Sequence, residues 1–337
     1  MELVQHAGTA SLHLTLAMCD YAHTREIAQG IVRADGITLN PLVFPSIEEI
    51  TYRFTRELEW DVSELSFGKY IALASGERPA PMIAIPVFPS RMHRLSAIYV
   101  RRGAGLRTPK DLEGRAVGIP EWAQTAGMYV RGFLAEEYGV DLRKVRWVQA
   151  GVDEAGRAEK VELKLPPGIG YAARSDASLS GMLRSGEIDA AITARAPAAF
   201  GNGQAMRLFE NPRAEEAQLF ERSGVFPIMH VVVVKRSVYE QHPWVAVNLL
   251  KAFEEAKQRC LRLVADFTCS RLPLPWAASF VDETLRKYGP DPYPYGVAPN
   301  RRTLEAFIRF AHAQGITRGR MEVEQLFARE SLGAVKV

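Results

Sequence analysis

Short apolar runs alternate along the chain with longer segments whose hydrophobic residues recur at helical spacing. In the first hundred residues, the apolar runs predict strands at 12–17, 37–44, 61–65 and 81–87. The segments between them predict helices at 24–29, 47–58 and 69–74, and Ser46 with Glu49 fits a capping box for the second helix. Strands that alternate with helices in this way favour a mainly parallel sheet covered by helices.

The rest of the chain continues this alternation and then becomes helical. The predicted strands of this part are 97–101, 116–119, 145–148, 190–193 and 226–234, and the predicted helices are 125–138, 245–264, 278–288 and 301–312. A chain of 337 residues is large for a single core, and two of these strands read as crossings between lobes. We therefore expect a first lobe from residues 1–96 and 229–337, and a second lobe from residues 97–228.

Two separated stretches resemble a known fold. Residues 108–121, TPKDLEGRAVGIPE, and residues 182–195, MLRSGEIDAAITAR, each predict a short helical segment followed by a buried strand. Pro109 opens the first helical turn and Gly114 ends it, while Gly186 ends the second helix. The pair resembles the second lobe of the type 2 periplasmic-binding-protein fold. That resemblance implies two α/β lobes, each with a mainly parallel sheet flanked by helices, and a ligand cleft between the lobes.

Composition excludes several classes of protein. The chain is 47% hydrophobic and 24% charged, with a net charge of +3, and it has no basic run that would indicate nucleic-acid binding. No stretch approaches the roughly 20 apolar residues of a membrane-spanning helix. Cys19, Cys260 and Cys269 lack metal-binding spacing, which is typical of reduced cytoplasmic thiols. The residues before Cys19 lack the features of an export signal. We expect a cytoplasmic protein without nucleic-acid or membrane partners.

The loops that follow the predicted strands define the candidate site, because ligands in open α/β sheets bind beyond the carboxyl ends of the strands. These loops are rich in cations and imidazoles. They contain His23 and Arg25 after the first strand, Ser66 after the third, Phe88, Arg91 and His93 after the fourth, Glu121, Trp122, Thr125 and Arg195 in the second lobe, and His230 on the return crossing.

Three longer segments narrow the resemblance to one family. They are PVFPSRMHR at 86–94, GIPEWAQTAGMYVRGFLAEEYGV at 118–140 and YPYGVAPNRRTLEAFIRFAHAQG at 293–315. Together they resemble the 4,5-dihydroxyphthalate decarboxylase family, and the likeness extends from Leu14 to about Gly315. The resemblance implies a cytoplasmic enzyme that converts 4,5-dihydroxyphthalate to protocatechuate and CO2, a step of bacterial phthalate breakdown.

The residue types suit this chemistry. In such a substrate, each carboxylate lies para to a phenolic hydroxyl, and loss of the hydroxyl proton pushes electron density onto the carbon that bears the carboxylate. An acid can protonate that carbon, and the resulting ketone then loses CO2 with its own carbonyl as the electron sink. The protein must supply a base, an acid and cations that hold the other carboxylate. No organic cofactor is required.

Cationic side chains are the first candidates for binding the substrate. We predict Arg91 as the carboxylate clamp, because a guanidinium can form two parallel hydrogen bonds with a carboxylate. Arg25 and Arg195 are candidates for the second carboxylate, although either could instead cap a helix or bridge the lobes. The hydroxyls of Ser66 and Thr125 complete the polar part of the predicted binding set.

Four side chains are candidates for proton transfer. We predict His93 and His23 as the main proton carriers, because imidazole titrates near neutral pH. His230 and Glu121 are further acid–base candidates, and each also has a structural interpretation, as a core histidine and as a helix-start acid.

Two aromatic side chains could stack on the ring of the substrate. Phe88 and Trp122 follow predicted strands, and both residue types also occur in ordinary cores.

Several alternatives stay open at this level. We expect no cofactor, but His23, Asp20, His93, His230 and Glu121 could instead converge on a divalent metal ion, without any close ligand spacing to support it. The competing function is a solute-binding protein for an aromatic carboxylate or other small anion, and a more distant likeness is to thiamine-pyrimidine precursor proteins. The prevalence of two-fold symmetry favours a homo-oligomer.

Overall fold

The computed structural model describes residues 11–333, which form two sheets with helices packed around them. In chain order the strands are β1 Leu12–Cys19, β2 Ile37–Phe44, β3 Val62–Ser66, β4 Met82–Arg91, β5 Ile98–Arg101, β6 Ala116–Ile119, β7 Arg146–Gly151, β8 Gly170–Ser178, β9 Ala190–Ile192, β10 Ala205–Arg207 and β11 Ile228–Lys235. The helices are α1 Arg25–Ala28, α2 Ile47–Glu57, α3 Phe67–Ala74, α4 Thr125–Glu136, α5 Leu179–Ser185, α6 Ala198–Gly201, α7 Pro212–Ser223, α8 Arg236–Gln241, α9 Trp244–Ala265, α10 Ala277–Tyr288 and α11 Arg301–Ala313.

The first sheet has the strand order β2-β1-β3-β11-β4. β1 runs parallel to β2 and β3, whereas β11 runs antiparallel to β3 and β4. β4 and β11 are almost fully buried apolar runs, as expected for strands with helices on both faces.

The second sheet has the order β10-β5-β9-β6-β7-β8. β6 runs parallel to β7 and β9, whereas β5 runs antiparallel to β9 and β10. Each sheet therefore contains one strand that is antiparallel to both of its neighbours, β11 in the first sheet and β5 in the second. Each of these strands lies where the chain passes from one sheet to the other. This arrangement confirms the predicted two-lobed fold with mainly parallel sheets. The division of the chain at residues 97 and 229 stays a prediction, and β5 and β11 begin within a residue of those positions.

Most predicted elements are present with small shifts at their ends, but five were not predicted, of which α6 and α8 are only four and six residues long. β8, β10 and α7 are largely exposed, with few buried hydrophobic residues, so the apolar pattern that identifies an element is weak there. The capping box of α2 is also absent, because the Ser46 side chain accepts a hydrogen bond from the backbone of Glu48 rather than Glu49. Gly186 does end α5, in the left-handed conformation with φ of 82°.

The two lobes contact each other directly at the start of α3 and α4. The backbone N–H of Gly68 donates a hydrogen bond of 2.9 Å to Oγ1 of Thr125. A Cβ atom at Gly68 would lie 2.6 Å from the carbonyl oxygen of Ala123, so only glycine permits this approach. Behind it, α4 packs on α11, where Gly132 lies against the ring of Phe310. This contact fixes the position of the second lobe beside the first sheet.

Within the part of the chain that the structure describes, no helix combines the length and the apolar character needed to cross a membrane.

Candidate active site

A cavity of about 120 Å³ lies between the lobes, beyond the ends of the sheet strands. The first lobe contributes Ser66 at the end of β3 and His230 from β11, which are register partners in the sheet. The second lobe contributes Glu121 after β6 and Thr125 at the start of α4. The structure thus brings together four of the residues predicted from sequence.

His230 is tied to a buried carboxylate. Its Nδ1 lies 2.6 Å from Oε1 of Glu64, a side chain on β3 with no exposed surface. The hydroxyl of Tyr21 donates to the same oxygen at 2.5 Å, and the backbone N–H of Cys19 donates to Oε2 at 2.8 Å. Because Nδ1 faces Glu64, the Nε2 atom is the one left to exchange protons with a ligand.

Glu64 is ionised despite its burial. Burial raises its pKa, but the hydrogen bond and charge of His230, together with the donors from Cys19 and Tyr21, outweigh burial and hold the pKa below its usual range. Burial and the Glu64 charge raise the pKa of Tyr21, so its hydroxyl stays a donor. The three groups form a fixed chain that orients the imidazole.

Ser66 and Thr125 connect the lobes at the floor of the cavity. Their hydroxyl oxygens are 3.0 Å apart, and Thr125 also accepts the hydrogen bond from Gly68. The two residues precede or begin α3 and α4, so both helix N-termini point to this region. Helix N-termini favour negative charge nearby.

Glu121 is surrounded by cations. Its carboxylate lies 2.5 Å from Nζ of Lys69, 2.7 Å from Nη2 of Arg157 and 3.4 Å from Nζ of Lys160. Burial raises the pKa of Glu121, but the three cations outweigh that effect and lower it. Lys69 also binds Glu159 at 2.9 Å. Glu121 is therefore an ionised structural carboxylate, which does not suit the acid–base role predicted for it.

Arg94 borders the same cavity with few partners. Its Nε lies 3.2 Å from Sδ of Met229, and its Nη1 donates to the carbonyl oxygen of Ala194 at a long 3.4 Å. Burial is the main cause that lowers its pKa, with Tyr99 and Glu216 acting in the opposite direction. Within residues 11–333, no carboxylate oxygen lies within 4 Å of the Arg94 guanidinium.

The structure places Arg91, the predicted carboxylate clamp, outside this cavity. Its guanidinium donates to the carbonyl oxygens of Pro294 at 3.1 Å and Phe226 at 2.9 Å, and it stacks over the ring of Phe226 at 4.4 Å. Its backbone N–H binds the hydroxyl of Tyr293. Arg91 thus ties the segment after α10 to the first sheet, beside a separate cavity of about 600 Å³.

The other predicted cations lie at the surface. Arg25 pairs with Asp20 at 3.0 Å, and both side chains are more than half exposed. Arg195 is 72% exposed and lies 3.8 Å from Glu48 of α2. Arg195 therefore bridges the lobes at the mouth of the cavity, which was the alternative interpretation of this residue.

His93 also lies away from the cavity, in an aromatic environment. Its ring stacks on Phe226 at 4.9 Å, and its Nε2 is 2.8 Å from the hydroxyl of Tyr288. Burial, with the charges of Arg91 and Lys287 adding to it, lowers the pKa of His93 to about 4. A neutral imidazole committed to Tyr288 contributes to packing rather than to this cavity.

His23 borders a different cavity of about 270 Å³, which Lys257 and Cys260 also line. Its ring packs 5.1 Å from that of Tyr293 and 5.5 Å from that of Tyr21. Burial is the main cause that lowers its pKa to about 4. Neither His23 nor His93 therefore lines the cavity that His230 borders.

The predicted stacking residues are core residues in the structure. Phe88 has no exposed surface and packs edge-on against Phe327 at 6.1 Å. Trp122 is also fully buried, and its indole N–H donates to the carbonyl of Gln314 at 2.8 Å. Neither side chain lines the cavity.

Sequence reasoning missed the residues that complete the site. Glu64 lies inside the predicted strand 61–65, DVSEL, where polar residues outnumber apolar ones, so the pattern does not mark this carboxylate as buried. Lys69 begins the predicted helix 69–74 and Arg94 follows the fourth predicted strand, but no sequence pattern distinguishes these two residues from surface cations. Arg157 and Lys160 come from a segment without a predicted element, so no pattern placed them at the cavity.

The donors that might have bound a metal ion are dispersed. Asp20, His23 and His93 lie elsewhere, His230 is bound to Glu64, and Glu121 is paired with cations. Across residues 11–333, no group of three or more metal-binding side chains converges.

Comparison with known proteins adds relatives of assigned activity. No protein-family model matches the chain. The chain is 38% identical over 333 residues to a 4,5-dihydroxyphthalate decarboxylase of Comamonas testosteroni, which covers 97% of this chain and 100% of that protein. It is 40% identical over 207 residues to a 4,5-dihydroxyphthalate decarboxylase of Pseudomonas putida, over 60% of this chain and 79% of that protein.

Solved structures share the fold at low identity. The periplasmic aliphatic sulphonate binding protein SsuA from Escherichia coli matches with a TM-score of 0.53 and 14% identity, over 95% of this chain and 99% of that one. The desulfurization enzyme DSZB matches with a TM-score of 0.51 and 17% identity, over 95% and 97% of the two chains. A binding protein and an enzyme share this fold, so the fold alone does not decide between the two functions.

Proposed function

The chain belongs to the 4,5-dihydroxyphthalate decarboxylase family, and on this premise we propose that it converts 4,5-dihydroxyphthalate to protocatechuate and CO2 in the cavity around His230. One observation carries the location: an imidazole bonded to a fully buried carboxylate lines a cavity between the lobes. An imidazole oriented in this way can act as a proton donor or acceptor for a ligand in the cavity.

The reaction replaces a carboxylate on the ring by one proton. The ionised hydroxyl para to that carboxylate pushes electron density onto the ring carbon, and protonated His230 gives its Nε2 proton to this carbon. The bond to the carboxylate then breaks, CO2 leaves, and the electron pair of that bond restores the aromatic ring. The hydroxyl regains its proton, so the net reaction consumes one proton and needs no electron acceptor.

Glu64 is the positioning residue of this proposal. Its ionised oxygen faces Nδ1 of His230 and stabilises the protonated ring, while Tyr21 and Cys19 hold the carboxylate in place. A fixed carboxylate–imidazole pair orients the proton donor before the substrate arrives, which removes part of the entropic barrier. The neighbouring N-termini of α3 and α4 favour an anionic ligand in the same cavity.

The proposal requires no metal ion or organic cofactor. The substrate has its own electron sink in the para hydroxyl, so the protein supplies only protons and charge. The three side chains bordering the cavity that could bind a metal ion, His230, Glu121 and Glu48, already contact Glu64, Lys69 and Arg157, respectively.

The proposed function is tested by incubating the purified chain with 4,5-dihydroxyphthalate and measuring CO2 and protocatechuate together. We expect the two products in equal amounts over many turnovers. The competing solute-binding function predicts tight binding of the aromatic acid, seen by calorimetry, with no CO2 released. That second result would reject the enzyme assignment.

A further inference from the structure

Four cations border the interlobe cavity, and three of them are committed to carboxylates of the protein. Lys69 pairs with Glu121 and Glu159, Arg157 with Glu48 and Glu121, and Lys160 with Glu121. These pairs neutralise one wall of the cavity, which is formed by residues of both lobes.

Arg94 is the fourth of these cations, and it is the one without a carboxylate partner in the described part of the chain. It is partly buried, and its contacts are a sulfur atom of Met229 and a carbonyl oxygen of Ala194 at 3.4 Å, while the charge of Glu216 acts on it from beyond 4 Å. A partly buried guanidinium with no carboxylate in contact is stabilised when a ligand supplies one. Because Arg94 borders the same cavity as His230, a ligand in that cavity is in position to supply this carboxylate.

We propose that Arg94 binds the carboxylate that the substrate keeps, and thereby leaves the other carboxylate, which is equivalent by symmetry in the free molecule, beside the proton donor. This inference rests on the proposed function, because it assigns the two carboxylates of the same substrate to different surroundings. A guanidinium bound to a carboxylate stabilises its negative charge through charge-assisted hydrogen bonds. Loss of CO2 from this carboxylate would remove that charge, so binding to Arg94 stabilises it against decarboxylation. The other carboxylate of the substrate is not bound to Arg94 and faces the proton donor.

The product keeps the same contact. Protocatechuate has a single carboxylate, which on this account stays on Arg94. We therefore expect protocatechuate to bind as a competitive inhibitor and to resist a second decarboxylation to catechol. Catechol itself has no carboxylate and should bind without help from Arg94.

The test compares Arg94→Gln and Arg94→Lys with the parent chain. We expect Arg94→Gln to raise the KM for 4,5-dihydroxyphthalate and the Kd of protocatechuate together, each by about 10- to 100-fold, because a hydrogen-bonded charge pair is lost. Arg94→Lys restores part of the affinity, because lysine keeps the charge but not the paired geometry. The exposed Arg102, which donates to the carbonyl of Gly203, gives the matched control Arg102→Gln.

The affinity for catechol, which has no carboxylate, shows whether Arg94→Gln removes a contact with the carboxylate or changes the shape of the cavity. If Arg94 acts on the carboxylate, Arg94→Gln leaves the Kd of catechol within about twofold while that of protocatechuate rises. An equal loss for both ligands, or no change for either in a variant with parental melting behaviour, overturns the assignment.

The decarboxylase function and the role of Arg94 can be rejected independently of each other. Calorimetry with protocatechuate needs no turnover, so an Arg94-dependent Kd in a chain that releases no CO2 would reject the decarboxylase function and keep the role of Arg94. Full turnover with unchanged KM and Kd in Arg94→Gln would reject the role of Arg94 and keep the function.

Discussion

Nδ1 of His230 lies 2.6 Å from Oε1 of Glu64, and this carboxylate has no exposed surface. The two residues come from neighbouring antiparallel strands of the first sheet, β11 and β3, so the pair is fixed by backbone pairing rather than by a loop. A site held by strands keeps its geometry more closely than one held by loops.

The first prediction concerns Glu64→Gln, which keeps the size of the side chain and removes its charge. We expect kcat to fall by about 10²- to 10⁴-fold, the range for loss of an oriented acid–base group, with a smaller change in KM. The measurement is kcat and KM for both proteins, with folding verified by their melting curves. A parental kcat, or a rise in KM as large as the fall in kcat, would exclude the positioning role.

The second prediction concerns His93 and the dependence of stability on pH. Burial and the charges of Arg91 and Lys287 lower the pKa of His93 to about 4, against 6.5 for the free side chain. The unfolded chain takes up this proton near pH 6.5 and the folded chain only near pH 4. The stabilising contribution is therefore complete above pH 6.5 and is lost as the pH falls towards 4.

For one such histidine, the loss between pH 7 and pH 4 is about 3 kcal/mol. His93→Gln should reduce the fall in unfolding free energy over this range by about that amount, as measured by denaturant titration at several pH values. His23 has a pKa lowered to about 4 as well, so part of the dependence of the unfolding free energy on pH should persist in His93→Gln. A slope identical to that of the parent would show that His93 titrates normally in the folded state.

The third prediction concerns the contact between the lobes. A Cβ atom at Gly68 would lie 2.6 Å from the carbonyl oxygen of Ala123 and 2.7 Å from Sδ of Met128. We expect Gly68→Ala to lower the unfolding free energy by about 1–3 kcal/mol and to raise KM, because the lobes can no longer close on the cavity. Gly201→Ala is the matched control, since nothing lies within 4 Å of a Cβ there. Equal effects of the two substitutions would contradict the prediction.

The fourth prediction concerns metal removal. We expect prolonged dialysis against a strong chelator to leave kcat unchanged within about twofold, because the reaction is assigned to protons and charge alone. Turnover and metal content are measured on the same sample before and after dialysis. Loss of activity that is restored by a divalent ion would show that the reaction requires a metal ion.

The fold was predictable from sequence because its central strands are buried on both faces. Such strands appear as continuous apolar runs, as in β4 and β11, and their alternation with helices implies the sheet order only in outline. β8 is not predictable from the apolar pattern because most of its residues are exposed and Tyr171 is its one large hydrophobic residue, so its pairing with β7 alone identifies it.

The site was predictable to the level of loops and not to the level of side chains. Arg91 and Arg94 stand three positions apart, yet Arg91 turns to Pro294 and Phe226 while Arg94 borders the cavity. The pairing of β4 with β11 is irregular between Ile228 and Val232, and such irregularities re-aim the side chains around them. The partnership of Glu64 with His230 depends on long-range strand pairing that no local pattern records.

The most direct test of the account is the turnover of 4,5-dihydroxyphthalate by His230→Gln and His93→Gln side by side. We measure protocatechuate formed per enzyme in a single turnover, with folding of both variants verified by their melting curves. The account predicts a loss of about 10²- to 10⁴-fold for His230→Gln and a rate close to that of the parent for His93→Gln. Parental rates in His230→Gln, or the large loss in His93→Gln alone, would contradict it.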